Sequence, residues 1–277
     1  MKLVKKMLYL VGIVAGIAVL VLLGTAIVQI GMVVVSENLG VTIAEDVLYQ
    51  VSGSCGIAVA ALLCAGYVRR KKYTECIVRA GKFRMMQAVY YMILSVCVCK
   101  VLLGSMVTLL CSHTIPVTEQ MMGNMGSTYI DLLFGLVAAP IFEELLFRMG
   151  IYSLLRRRFR RESAVLIGAL GFALIHGYQL QGFLSCLAAG IVFALIYDKS
   201  GNLWYCIGAH MFCNLFAYVM NMLEKAGVTL GGVLLQYEVK GYNTYHPMII
   251  VAAAVFCGAS VARYYGYRNK DRVLSEN

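Results

Sequence analysis

Long apolar runs separated by short polar and basic blocks dominate the chain, and eight such runs can be drawn. Five of them have the roughly 20 residues that a helix needs to cross a hydrocarbon core about 30 Å thick. The three shorter runs are expected to extend into the flanking loops or to be buried among the other helices. The pattern predicts an all-α, polytopic membrane helix bundle of about eight transmembrane helices. The runs are 8–35, 47–68, 85–111, 129–155, 164–176, 183–197, 203–223 and 248–262.

The composition agrees with this pattern. Of the 277 residues, 61% are hydrophobic and 14% are charged, whereas about 25% of the residues of a soluble protein are charged. No polar linker divides the chain, so we predict a single integral-membrane domain over residues 1–277. The first apolar run is too long for the core of a signal peptide and is interpreted as the first transmembrane helix.

The net charge of +10 does not indicate nucleic-acid binding, because the basic residues form blocks between the apolar runs. With the N-terminus in the cytoplasm and eight alternating spans, 20 of the 24 Lys and Arg residues fall on the cytoplasmic side. Lys225 and Lys240 fall outside, and Lys100 and Arg148 lie within spans. This bias predicts that both termini are cytoplasmic. Anionic lipid on the cytoplasmic face is the expected partner of the basic blocks, and no nucleic acid is expected.

The cysteines and one lysine have ordinary structural interpretations. The ten cysteines include no CxxC pair, and most lie in apolar runs, where a free thiol acts as a small hydrophobic group. Lys100 is expected to extend toward the interface or to pair with a carboxylate of the fourth helix. His113 and His246 fall in predicted outer loops and are not expected to have a role.

The first polar motif within an apolar run is Glu143-Glu144-x-x-x-Arg148. A charge at such depth costs roughly 3 kcal/mol on insertion scales, so its retention indicates a use. Glu144 and Arg148 share a helix face as an i, i+4 pair, and Glu143 points about 100° away. Pro140 is expected to kink the helix beside them. The alternative is that Glu144 and Arg148 form an ion pair that only stabilises the bundle.

Two further motifs follow, Phe172-x-x-x-His176 and His210-x-x-x-Asn214. Each alone is also explained by an interfacial histidine or by a hydrogen bond between helices. Together with Glu143 they provide the groups that activate water and stabilise an oxyanion. The same side chains are plausible ligands of a divalent metal. The zinc-protease signature H-E-x-x-H is absent from the sequence.

The three motifs, in this order and on separate helices, resemble those of the CPBP family of intramembrane proteases. This family is also called the CAAX protease and bacteriocin-processing, or Abi, family. Its pattern is Glu-Glu-x-x-x-Arg, then Phe-x-x-x-His, then His-x-x-x-Asn. Ala139-Pro140 and Gly150 also resemble the family. The likeness covers residues 139–214, which places the catalytic helices in 129–223, and nothing is inferred from the first three helices.

The resemblance implies an intramembrane endopeptidase, a CAAX prenyl protease-like hydrolase that acts on a peptide or protein substrate. The small loops predict that its location is a bacterial cell membrane. Eukaryotic members remove the last three residues of prenylated CAAX proteins, and bacterial members are linked to peptide maturation and bacteriocin immunity. Glu143 and His176 are expected to activate water, and His210 and Asn214 to stabilise the oxyanion. Glu144 and Arg148 are expected to position the site. The resemblance also leaves open a metalloprotease in which Glu143, His176 and His210 bind a metal such as zinc.

The alternative function is a non-catalytic membrane scaffold or a proton or ion translocator that uses the same Glu and His side chains. Geometry distinguishes the two. A translocator spaces its groups along a path across the membrane, whereas a protease gathers them around one water-filled pocket. Close approach of Glu143, His176, His210 and Asn214 would therefore favour the enzyme.

Overall fold

The computed structural model describes residues 2–43, 45–76, 82–110, 132–176, 180–225, 236–239, 242–245 and 247–275. Within these ranges, one helix corresponds to each predicted apolar run, so the predicted helical bundle is confirmed. The helices are α1 (Lys2–Leu39), α2 (Glu45–Arg70), α3 (85–110), α4 (132–156), α5 (Arg161–Ile175), α6 (Leu180–Ser200), α7 (Leu203–Lys225) and α8 (Pro247–Ser275). His113 and His246 lie outside the described residues.

Five of the described helices are long and apolar enough to cross a membrane: Val4–Leu39, Val47–Arg70, Met85–Met106, Gly182–Ser200 and Leu203–Met220. The chain is therefore an integral membrane protein. The short predicted run 183–197 extends at both ends into the 21-residue α6, and the run 248–262 extends into the 29-residue α8. Helix α5 stays short, with 15 residues. The number of eight spans and the cytoplasmic position of both termini stay predictions.

A short antiparallel hairpin precedes α8, which the hydropathy pattern did not predict. Its strands are β1 (Gln236–Val239) and β2 (Tyr242–Tyr245), and Gln236 pairs with Tyr245. Tyr, Val and Thr favour extended backbone, but four-residue strands are too short to give a clear alternating signal. A 3₁₀ turn at Tyr73–Cys76 follows α2.

Helix α4 lies between two buried clusters and contributes to both. In the first, Tyr152 and Leu155 of α4 pack with residues of α3, α5, α6, α7 and α8. In the second, Leu146 and Phe147 of α4 pack with residues of α2, α5 and α6. Because it is enclosed on several sides, α4 can hold charged side chains away from lipid. The motif Glu143-Glu144-x-x-x-Arg148 lies on this helix.

Helices α3 and α7 run parallel and pack against each other. The Tyr205 hydroxyl at the start of α7 lies 3.2 Å from Gln87 Oε1, near the start of α3. Further along both helices, a Cβ at Gly208 would lie 2.8 Å from Met92 Cε. Alternating spans require the third and seventh helices to be parallel, so this contact agrees with the predicted topology.

Helices α1 and α2 approach closely at two glycines, Gly24 and Gly56. A Cβ at Gly56 would lie 2.7 Å from the Val21 carbonyl oxygen and 2.9 Å from the Thr25 nitrogen. Such small residues let helix backbones come close in a membrane, where packing replaces the hydrophobic effect.

Gly56→Ala is expected to destabilise the α1–α2 pair by about 1–3 kcal/mol, because the new methyl group meets backbone atoms that cannot rotate away. Gly53→Ala is the matched control, since no described atom lies within 4 Å of a Cβ there. Thermal unfolding of the two purified variants in one detergent checks this. Equal midpoints for Gly56→Ala, Gly53→Ala and wild type would contradict it.

Candidate functional site

Local helix irregularities shape the region around the predicted site. Helix α4 alternates between π and α geometry: Phe134–Ala138 is π-helical, Ala139–Glu144 is α-helical and Leu145–Tyr152 is π-helical. Helix α3 contains a further π segment, Cys97–Leu102. A π segment inserts an extra residue into a helix and is frequent at functional sites. Here these segments change which side chains of α3 and α4 face the interior.

Because Pro140 has no backbone N–H, the Gly135 carbonyl lacks its donor within the π turn and accepts a hydrogen bond from Asn214 instead. In a π turn the carbonyl of residue i pairs with the N–H of residue i+5, and the residue five positions after Gly135 is Pro140, which has no N–H. Asn214 Nδ2 donates a hydrogen bond of 3.1 Å to the Gly135 carbonyl. The kink predicted at Pro140 stays a prediction, and this hydrogen bond to the Gly135 carbonyl connects α4 to α7.

Glu144 makes two buried contacts, one within α4 and one that joins α4 to α7. Its Oε2 lies 2.9 Å from Arg148 Nε, and its Oε1 lies 2.9 Å from His210 Nδ1. Glu144 and Arg148 are 0% and 2% exposed. The ion pair predicted from the i, i+4 spacing is therefore present, and it also fixes the orientation of the His210 ring.

Aromatic rings enclose the Arg148 guanidinium. Its Cζ lies 4.7 Å from the centre of the Phe172 ring and 5.4 Å from that of Phe193. A cation over an aromatic face gains about 2 kcal/mol or more where water is excluded. The Phe172 of the second motif therefore contacts both Arg148 and, at 4.6 Å between ring centres, His176.

Glu143 faces both histidines, as its 100° offset from Glu144 predicted. Its Oε2 lies 3.6 Å from His176 Nε2 and 3.9 Å from His210 Nε2. His176 caps α5, and its Nδ1 lies 2.7 Å from the Phe172 carbonyl oxygen. Since a carbonyl oxygen only accepts hydrogen bonds, this Nδ1 carries the proton and donates it. His210 Nδ1 likewise donates to the Glu144 carboxylate.

With both protons held at Nδ1, each neutral imidazole presents an acceptor Nε2 toward Glu143. The two Nε2 atoms then both lie less than 4 Å from Glu143 Oε2. All three of these atoms are hydrogen-bond acceptors. Acceptors at this spacing repel one another unless a donor lies among them. A water molecule donates two hydrogen bonds and keeps its lone pairs for attack, so the arrangement is suited to hold and polarise water.

A cavity of about 140 Å³ adjoins these groups, which is room for several water molecules. Four of the predicted residues line it: Glu143, His176, His210 and Asn214. Glu144 and Arg148 lie behind this wall. Lys100 also lines the cavity, from the π segment of α3. The sequence analysis identified this lysine as an intramembrane charge but did not predict that it lines the cavity.

The possible metal ligands of the cavity are spaced slightly further apart than the ligands of a zinc ion. Tetrahedral zinc holds its N and O ligands about 2.0–2.2 Å from the ion, which places neighbouring ligands roughly 3.4 Å apart. Glu143 Oε2 is somewhat further than this from the two Nε2 atoms, at 3.6 and 3.9 Å. Among the residues that the structure describes, no three His, Cys, Asp or Glu side chains form a preorganised metal site. The geometry therefore does not fit a resident metal without rearrangement, and no step is routed through one.

Comparison with known proteins agrees with the motifs. A family model described as "Type II CAAX prenyl endopeptidase Rce1-like" matches residues 125–216. The chain is 27% identical over 128 residues to "Putative membrane peptidase YdiL" of Bacillus subtilis (strain 168). The predicted resemblance to the CPBP family is confirmed. The alignment covers 43% of this chain and 52% of the relative, so the chain spans about half the length of the curated relative it matches.

The matched interval contains all three motifs, and the relative is a membrane peptidase by name. No solved structure matches the chain. The sequence therefore identified the residues that gather at the cavity. It missed the contact between Glu144 and His210, because no spacing rule relates positions on different helices.

Proposed function

We propose that the protein is an intramembrane endopeptidase that hydrolyses a peptide bond with a water molecule activated in the cavity of Glu143. The observation that carries this proposal is the convergence of Glu143, His176, His210 and Asn214 on one cavity. The match of residues 125–216 to a prenyl endopeptidase family supports the same reaction class.

In this proposal Glu143 is the general base. Its Oε2 and His176 Nε2 accept the two hydrogens of a water molecule, and Glu143 takes one proton as the water oxygen attacks the scissile carbonyl. Glu143 then delivers that proton to the leaving nitrogen. The hydrogen bond from His176 Nδ1 to the Phe172 carbonyl keeps the ring in place during this exchange.

The developing oxyanion is stabilised from α7. Asn214 uses one N–H of its amide for the Gly135 carbonyl, and its second N–H is available for the substrate. In the substrate complex His210 is proposed to take up one proton from solvent at Nε2 and to donate it in a hydrogen bond to the oxyanion, while its Nδ1 still donates to the Glu144 carboxylate, which lies 2.9 Å away. A donor at such a position is worth about 3 kcal/mol. Glu144 and Arg148 act as positioning residues.

The alternative function, a proton or ion translocator, requires groups spaced along a path across the membrane. The Glu and His side chains instead lie around one cavity, within 4 Å of one carboxylate. This geometry favours the enzyme over the translocator. A scaffold that only binds peptides has the same geometry and is separated from the enzyme by an activity measurement.

The substrate is proposed to be a peptide or protein segment near the membrane, of the CAAX or peptide-maturation type. The bacterial cell membrane is the proposed location, with the basic blocks against anionic lipid on the cytoplasmic face. A metal-dependent form of the reaction, with a divalent ion such as zinc on Glu143, His176 and His210, is the second version of the proposal. It requires the carboxylate and the two rings to approach by a few tenths of an ångström.

Cleavage of a fluorogenic peptide library by the purified protein, with and without a strong chelator, tests the proposal and separates its two versions. The water mechanism predicts cleavage that is unchanged by the chelator. Loss of cleavage with chelator, restored by added zinc, would establish the metal-dependent form. Library peptides that bind without being cut would indicate the scaffold.

A further inference from the structure

Three thiols line the same cavity as the proposed catalytic groups, and the mechanism uses none of them. They are Cys99 of α3, Cys186 of α6 and Cys213 of α7, and they are 2%, 3% and 3% exposed. Thiols beside a cavity that admits water differ from those packed only against hydrocarbon, because a small reagent can reach them. The sequence interpretation of the cysteines in apolar runs as small hydrophobic groups is therefore incomplete for these three.

Two of these thiols, Cys99 and Cys213, are hydrogen-bonded to each other. Each is adjacent in sequence to a polar residue of the cavity: Cys99 precedes Lys100, and Cys213 precedes Asn214. They also come from the parallel helices α3 and α7, which pack against each other and each form part of the cavity wall. A bond between the two sulfurs would join these walls beside the oxyanion groups.

We propose that Cys99 and Cys213 form an oxidisable dithiol site that a small two-electron thiol oxidant converts into a disulfide. One thiol loses its proton, and the thiolate reacts with the oxidant to give an adduct that the second thiolate displaces. The S–S bond forms, the thiols lose two electrons and two protons, and a diazene oxidant such as diamide becomes the hydrazine. Lys100 lines the same cavity as the two thiols.

The hydrogen bond between the two thiols indicates that the sulfurs are neighbours, and a disulfide of about 2.05 Å would draw them closer together. Cys186 also lines the cavity, but it is on the third wall, in α6. Cys206 of α7 is buried with its thiol donating to the Phe193 carbonyl at 3.4 Å. Neither is expected to join the disulfide.

The consequence for activity rests on the proposed function. The cavity of about 140 Å³ is smaller than the roughly 300–1,000 Å³ of pockets that enclose a ligand. A peptide can therefore enter only if the walls separate. A disulfide between α3 and α7 opposes that separation, so the oxidised protein is expected to be closed to substrate.

The test is diamide treatment of the purified full chain in detergent, followed by proteolytic mapping under non-reducing conditions. A peptide pair that joins Cys99 to Cys213 is expected in wild type and in Cys206→Ser. It is expected to be absent in Cys213→Ser and after dithiothreitol. No Cys99–Cys213 pair, or a dominant pair that includes Cys186, would overturn the proposal.

Peptide cleavage by the same samples tests the consequence separately. Oxidation is expected to slow cleavage about 100-fold, which is the typical loss of rate when the substrate is held out of position in an active site. The rate is expected to recover after dithiothreitol. The ratio of oxidised to reduced rates is expected to stay near one in Cys99→Ser. If the disulfide forms and cleavage is not slowed, the claim that the oxidised protein is closed to substrate is wrong. If the reduced wild type cleaves nothing, the proposed function fails, while the mapping still decides whether the dithiol site exists.

Discussion

Glu143→Gln is expected to reduce peptide cleavage by about 10³-fold or more, within the 10²–10⁴ range of a lost general base combined with lost water orientation. The amide has nearly the shape of the carboxylate but accepts no proton from water. Its N–H₂ group can also occupy the space between the two histidine Nε2 atoms, which lie 3.6 and 3.9 Å from the carboxylate oxygen.

The measurement is the rate of cleavage at saturating peptide by purified variants in the same lipid. Glu162→Gln is the matched control, because Glu162 lies exposed in the first turn of α5. His176→Ala and His210→Ala are expected to lose activity while the protein still folds. Cleavage by a well-folded Glu143→Gln protein at more than a tenth of the wild-type rate would exclude Glu143 as the base.

Arg148→Met is expected to destabilise the protein by about 3–5 kcal/mol, the typical effect of removing one partner of a buried ion pair. Glu144 is 0% exposed and would keep a buried carboxylate without the guanidinium that lies 2.9 Å away. The aromatic contact with Phe172 would also be lost.

Unfolding midpoints in one detergent check this prediction. Arg157→Met is the matched control, because its exposed guanidinium also lies over an aromatic ring, that of Tyr73, at 3.7 Å. The double variant Glu144→Gln with Arg148→Met is expected to recover part of the loss, since both charges are then absent. Equal effects of Arg148→Met and Arg157→Met would contradict the role of the buried pair.

Much of the site follows from spacing within single helices. The i, i+4 relation of Glu144 to Arg148 predicted their ion pair. The offset of Glu143 predicted a partner different from that of Glu144, and His176 is such a partner, whereas His210 lies near both carboxylates. The same relation put His210 and Asn214 on one face of α7, where both line the cavity. Such predictions succeed because an α-helix fixes the direction of each side chain from sequence alone.

Contacts between helices were not predictable in the same way. The contact of Glu144 with His210 and the paired thiols of Cys99 and Cys213 depend on how α3, α4 and α7 are rotated against each other. The π segments in α3 and α4 also escaped the sequence analysis, because a π segment carries no residue pattern comparable to a proline. Since Lys100 lies in such a segment, its place beside the cavity could not be derived from helical periodicity.

The number of membrane spans and the side on which the termini lie are still predictions from the sequence. Five helices have the length and composition of spans, and the parallel contact of α3 with α7 agrees with alternation. The cytoplasmic position of the termini is predicted from the distribution of Lys and Arg residues between the two sides of the membrane.

The most direct test of the central claim is mass spectrometry of new peptide termini after a peptide library is incubated with the purified protein in lipid vesicles. Wild type and Glu143→Gln are compared at equal protein concentration. The account predicts new termini in the wild-type sample that are absent from the Glu143→Gln sample and present with Glu162→Gln. The same termini at the same rates with Glu143→Gln would contradict it, because the cavity of Glu143 would then not be the site of hydrolysis.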